Sequence, residues 1–286
     1  MKDKENLKQY AQERLRECQL KQLAILKEID RICQKHGILY WLDGGTLLGA
    51  KRHGGFIPWD DDIDIAMGRD DLKRFETVAP AELPASLFLQ TPKSDPNNGP
   101  IIKVRDLNSL YLEHGDDFES GYVKGIYVDI FPFDKIPKQR WLERLQHKIV
   151  FFLNGLFIAT EIWQWKHCGK CDIPEPRKRG WLPCFFTRLL ITLFSKHTIY
   201  NIMYRVQTAF NGRKLPLCKN IITKSERVPI EDVKQAQSVT LGSLQVSAPK
   251  DLLLYLNNHY GSVRKDIPDE MKISHRPEEL IFPETP

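Results

Sequence analysis

Between Leu42 and Met67 the chain reads LDGGTLLGAKRHGGFIPWDDDIDIAM. No other stretch constrains the fold as tightly. An apolar run from Ile38 to Leu42 suits a buried strand, and it breaks at Gly44 and Gly45. A short helix is expected from Thr46 to Arg52. Backbone N–H groups at a helix start, free of bulky side chains, form a natural phosphate cradle, so Gly44, Gly45 and Thr46 are candidates for that role. A second glycine-rich loop leads to Asp60-Asp61-Asp62-Ile63-Asp64-Ile65. On a strand, residues two apart share a face. Asp62 and Asp64 would then stand side by side while Ile63 and Ile65 turn into a core. Two such carboxylates repel unless a cation separates them. All-oxygen ligation suits Mg²⁺ or Mn²⁺, the ions of phosphoryl chemistry. The plainer alternative is a solvated acidic loop, which the alternation with isoleucine argues against.

A third carboxylate comes from Tyr127-Val128-Asp129-Ile130-Phe131, where Asp129 is the lone acid in an apolar strand. A buried charge without a partner is costly. A metal would balance it, and so would a salt bridge. Strands are also expected at Ile63–Met67, Ile101–Arg105, Ser109–Glu113 and Gly125–Phe131. Helices are expected from about Asn6 to His36 and from Asp70 to Val78. Strands and helices alternate, which makes the class α/β or α+β. A hairpin around Gly242 and a helix from Pro249 to His259, ended by Gly261, close the chain.

Composition narrows the function. From Lys138 to Lys196 there are eleven basic residues against four acidic ones, an excess of seven where the whole chain carries +5. The remainder is slightly acidic, which speaks for one local basic region and against a general nucleic-acid surface. The same stretch holds the apolar runs Ile149–Ala159 and Phe185–Phe194, beside Trp163, Trp165 and Trp181. Neither run approaches the roughly 18 to 20 residues of a membrane span. Apolar helices edged by tryptophan and basic residues suit a membrane interface, and packing on the core is the alternative. The N-terminus carries no apolar leader, so a cytoplasmic protein, with peripheral attachment to the inner face of the membrane, is expected. Cys168 and Cys171 form a CxxC pair that Cys184 and His197 would complete as a zinc site; otherwise they are ordinary thiols.

The segment Tyr40–Met67 resembles the LicD family of phosphocholine transferases, which includes the fukutin-related sugar-phosphate transferases. The resemblance rests on Leu42 to Gly49, Arg52, Ile57-Pro58-Trp59-Asp60 and Asp62-Ile63-Asp64. It is extended by Lys103-Val104-Arg105-Asp106 and Val128-Asp129-Ile130-Phe131-Pro132. It implies a nucleotidyltransferase-like mixed sheet with flanking helices plus a helical insertion, with Asp62, Asp64 and Asp129 as metal ligands. The implied organisation is a catalytic core with its N-terminal helix (1–137), a helical, basic and apolar module (138–212) and a C-terminal segment completing the core (213–286). The implied reaction takes phosphocholine from CDP-choline to a hydroxyl of a cell-surface glycan or its lipid-linked precursor. Asp129 would assist the acceptor hydroxyl, Arg52 would contact phosphate, and Lys103 and Arg105 would meet the CMP leaving group. Choline calls for an aromatic cage, and the candidates are Trp41, Trp59, Tyr111, Tyr122, Tyr127 and Phe133. Transfer of phosphoethanolamine or a polyol phosphate is the alternative chemistry. A non-catalytic nucleotide-binding module would show gaps among the carboxylates, and none is missing. The stretch 139–210 matches nothing in the family pattern, and the tail Ile267–His275 departs from it.

Overall fold

A computed structural model describes residues 2–96, 99–113, 121–167, 181–223, 227–260 and 279–282. The fold is α+β. Helix α1 (Lys2–His36) runs along one side of the core. Its buried positions Cys18, Gln22, Ile25, Leu26, Ile29, Ile32 and Cys33 recur at helical spacing, while Leu20 faces out. Strand β1 is only Trp41–Leu42, because Asp43 already caps α2 (Gly44–His53). Next come β2 (Asp64–Gly68), α3 (Arg69–Glu82), β3 (Leu87–Gln90), β4 (Ile102–Asp106), β5 (Leu110–Leu112) and β6 (Tyr127–Lys135).

The central sheet has the order β1-β2-β6-β4-β3. Only β2 and β6 are parallel; the other neighbours in this row are antiparallel. Ile63, Ile65, Val104, Val128 and Ile130 are fully enclosed, which explains why each sits opposite in parity to an acid or a base of the same segment. The far end of β6 pairs with β7 (Leu217–Lys219), which pairs with β8 (Val228–Pro229). Short α7 (Ile230–Lys234) precedes the expected hairpin, β9 (Gln237–Leu241) and β10 (Leu244–Ala248), which turns at Gly242. Helix α8 (Leu252–Tyr260) follows, and β11 (Glu279–Ile281) pairs with β5. Gly261 and the tail Ile267–His275 lie outside the described residues.

Between β6 and β7 run α4 (Arg140–His167), α5 (Trp181–Leu193) and α6 (Lys196–Thr208). Val150, Leu153, Leu156, Phe157, Ile199 and Met203 form a second, smaller core with Ile136 and Ile221. One joint between this group and the sheet is a buried ion-pair network. Arg69 Nε and Nη2 donate to the two oxygens of Asp134 at 2.8 and 2.6 Å. Asn211 donates to the same carboxylate, Gln207 accepts from Arg69, and the guanidinium lies over Tyr204. Among the described residues no helix is long and apolar enough to cross a membrane. Cys168 and Cys171 lie outside the described residues, so the zinc expectation falls there.

Candidate active site

The acids gather because the sheet register lines them up. Asp64 is paired with Asp129 across the parallel β2–β6 ladder, and Asp129 with Lys103 across β6–β4. The backbone N–H of Asp43 donates to the Asp64 carbonyl at 3.0 Å, which adds Asp43 on the other flank. The row Asp43, Asp64, Asp129, Lys103 therefore crosses four neighbouring chain segments. Residues in such a row stand about 5 Å apart. Asp62 lies two residues before β2, outside the strand.

The glycine turn presses on this row. Gly44 sits at φ +51°, and a Cβ there would meet Asp64 Oδ2 at 3.2 Å. A Cβ at Gly45 would meet Asp60 Oδ2 at 3.0 Å. The helix start is bare because the carboxylates occupy the space a side chain would take. Thr46 Oγ1 accepts from the Asp64 N–H at 2.8 Å and fixes the first residue of β2. Asp43 accepts from its neighbour Gly44 and from Tyr255 of α8 at 2.6 Å. Arg52 lies in the last turn of α2, about 12 Å along the helix axis from Gly44.

Helix α1 holds the acidic loop from behind. Gln19 donates to the Asp60 carbonyl at 2.9 Å and Gln22 to the Asp61 carbonyl at 2.7 Å. Asp61 itself is buried and accepts from the Tyr111 hydroxyl at 2.6 Å. Of the three consecutive acids, Asp61 is thus a fastener and Asp60 and Asp62 remain with the site.

Crowding of like charge shows in the acidities. Burial first, and then Asp62, Asp129, Asp43 and Asp60, push the Asp64 carboxyl well above the ordinary range. Burial, Asp62 and Asp61 push Asp60 up to about 7. Burial also raises Asp129, with Lys103 pulling the other way. Lys103 Nζ lies 2.9 Å from Asp129 and 3.2 Å from Glu113, above the ring of Tyr127. The salt bridge, the alternative to a metal in the sequence reading of Asp129, is therefore present. It lies beside Asp64 and not across the core.

The donor set fits a hard divalent ion. It is all oxygen, its members repel one another, and Asp60 Oδ2 is buried without a hydrogen-bond partner. Among the described residues no three His, Cys, Asp or Glu side chains are drawn into a ready-made cage.

Several candidates take other places. Arg105 is buried and donates to Gln90 at 2.5 Å and to the Gly125 carbonyl at 2.8 Å, so its expected contact with a leaving group gives way to a structural tie between strands. Tyr111 and Tyr127 are interior residues, and Trp41, also buried, lines a cavity away from the acids. Trp41 packs edge-on to Phe133 with its N–H toward Tyr255, and Tyr111 stands edge-on to Tyr127. Trp41 and Phe133 line a separate cavity of about 520 Å³ with Gly68 and Lys135, at the far end of β2 and β6 from the acids. Of the expected cage residues, Trp59 and Tyr122 are only partly buried and keep surface to offer.

Sequence reasoning missed Asp43 and Tyr260 as members of the site. Tyr260, at the end of α8, has its phenol raised by burial and then by Asp43, Asp64, Asp60 and Asp62. Asp43 carried a signal, an acid in the N-cap position before Gly-Gly-Thr. For Tyr260 the only signal was the resemblance of the closing helix and its Tyr-Gly ending to the family pattern, since α8 reaches the site through tertiary packing.

A mixed sheet with acids lined up beside a strand–glycine–helix turn defines the nucleotidyltransferase class of α+β protein. Comparison with known sequences points the same way. A profile described as LicD/FKTN/FKRP, nucleotidyltransferase domain, matches residues 37–153, and that span is similar to the LicD family. The chain is 37% identical over 127 residues to the lipopolysaccharide cholinephosphotransferase LicD of Haemophilus influenzae, covering 44% of this chain and 46% of that protein. It is 31% identical over 121 residues to the ribitol 5-phosphate transferase FKRP of Homo sapiens, covering 40% of this chain and 21% of that protein. The chain thus spans less than half the length of these relatives.

Proposed function

We propose that this chain is an enzyme that transfers a phosphate-linked group from a nucleotide donor to a hydroxyl of a cell-surface glycan or its lipid-linked precursor. Phosphocholine from CDP-choline is the reading we favour. The observation that carries it is the row Asp43–Asp64–Asp129–Lys103 laid against a bare glycine turn. Carboxylates this crowded are stabilised by a cation, and backbone N–H groups at a helix start receive phosphate.

In this reading Asp62 and Asp64, with Asp60 beside them, hold Mg²⁺ or Mn²⁺. A bound ion of this kind supplies neutralising charge to the donor's diphosphate and its leaving oxygen. The Gly44–Thr46 turn receives a phosphate oxygen. Lys103 offers a fixed ammonium at the edge of the site. Asp129, adjacent to Asp64 in the sheet, would accept the acceptor's proton. Its affinity for a proton is set by burial against the pull of Lys103.

The similarity to the cholinephosphotransferase favours choline as the head group. The similarity to a ribitol 5-phosphate transferase favours a second reading, in which the same carboxylates serve a polyol phosphate donor. A thermal-shift and transfer screen of CDP-choline, CDP-ethanolamine and CDP-ribitol with Mg²⁺ or Mn²⁺ tests both. Stabilisation and turnover by CDP-choline that vanish in excess chelator are expected. A response to CDP-ribitol alone selects the second reading, and no response to any donor with either ion overturns both.

A further inference from the structure

Helix α4 buries only one of its faces. Glu143, Gln146, Val150, Leu153 and Phe157 point inward, and Trp141, Leu145, Phe151, Phe152 and Ile158 point outward. Trp141 is 66% exposed, Phe151 64% and Phe152 55%. Trp141, Leu145 and Phe152 follow a four- and then seven-residue step, which is one face of a helix, with Phe151 and Ile158 on its shoulder. The outward face from Trp141 to Ile158 is about 26 Å long. Leu189, Leu193 and Phe194, in and just after α5, add further exposed apolar surface.

Among the described residues the exposed charge on this surface has one sign. Arg140, Arg144 and Lys148 are exposed on α4, as is Arg188 on α5. Over residues 138–160 and 187–208 the single acid is Glu143, which is buried and paired with Arg227 and Lys219. An exposed stripe of Trp, Phe, Leu and Ile that large and that free of acids is a marked departure from an ordinary protein surface.

We propose that this face docks on an anionic lipid bilayer, with Trp141, Leu145 and Phe152 entering the headgroup boundary and Arg140, Arg144 and Lys148 meeting lipid phosphates. The mixture of aliphatic, aromatic and basic residues on one helix face is what an interfacial helix requires. A second copy of this chain fits less well, since a two-fold contact through this face would set its basic residues against one another. The inference is independent of the transfer reaction, since none of its residues belongs to the acid site.

The test is flotation of the full chain with vesicles of phosphatidylcholine, with and without phosphatidylglycerol, at low and high salt. The wild-type chain is expected to float with the phosphatidylglycerol vesicles at low salt. It should be released as salt shortens the electrostatic range, and stay down with pure phosphatidylcholine. The pair Trp141→Ser and Phe152→Ser should abolish flotation, and Arg144→Gln with Lys148→Gln should remove the preference for the anionic lipid. All of these variants should keep the wild-type thermal midpoint, because the replaced side chains are exposed. Failure of the wild-type chain to float at low salt overturns the proposal, as does undiminished flotation of the serine variant. A wild-type dimer in sedimentation velocity that Phe152→Ser converts to monomer, without flotation, assigns the face to self-association instead.

Discussion

The acid row and the outer face of α4 break opposite rules of folding. At the sheet, Asp43, Asp64 and Asp129 are placed side by side where their charges raise the free energy of the folded chain. On α4, phenylalanines and a tryptophan are left in water while the opposite face of the helix is packed. A sequence selected only for stability would do neither. The first departure costs stability, which a bound ion would offset in the proposed function. The second costs almost nothing in the folded chain and would be met by a bilayer in the proposed docking. Substitutions at the two places should therefore behave differently.

The largest expected effect is on activity. Asp64→Asn should lower transfer by at least about 10²-fold, the scale for removing one centre of electrostatic stabilisation, while circular dichroism stays that of the wild type. Transfer within a factor of a few of wild type would show that the row is not the reacting centre.

Next in size is the joint between the two regions. Arg69→Met leaves Asp134, 1% exposed, without its main partner in the interior. The loss in urea denaturation should be about 3–5 kcal/mol. A loss near that of a surface substitution would mean that the helical group is held by its apolar contacts alone.

Smaller, and of opposite sign, is Asp60→Asn. The folded-state pKa of Asp60 is about 7 against an ordinary 3.8. Between those values the folded chain retains a proton that the unfolded chain has released, so stability falls as pH rises through this window. Removing the charge should stabilise the metal-free protein above pH 7 by roughly 2 kcal/mol, discounted for partial exposure, and flatten its dependence on pH. Thermal midpoints measured from pH 4 to pH 8, about the span of the window, would check this. An unchanged slope would mean that Asp60 is already neutralised. The smallest effect is that of Phe152→Ser, expected to change stability by no more than about 0.5 kcal/mol because its side chain is exposed. A larger loss would place Phe152 in the packing of the protein and remove it from the outer face.

The sequence alone determined the parts of the site that are local. Strand parity assigns Ile63 and Ile65 to the interior, the glycine pair marks the helix start, and Asp129 stands out as an acid in an apolar strand. These patterns depend on a few consecutive residues and survive whatever the rest of the chain does. Tertiary structure decided everything that depends on which segments become neighbours. It set Lys103 beside Asp129 and sent Arg105 inward to Gln90 and Gly125. It turned Asp61 into a fastener for Tyr111 and brought Asp43 and Tyr260 to the acids. It also divided α4 into a packed face and an open one, where the apolar run read from the sequence was equally suited to core or interface. Hydrophobicity along the chain states how much surface wants to leave water. Only the placement of neighbouring elements fixes which part of it succeeds.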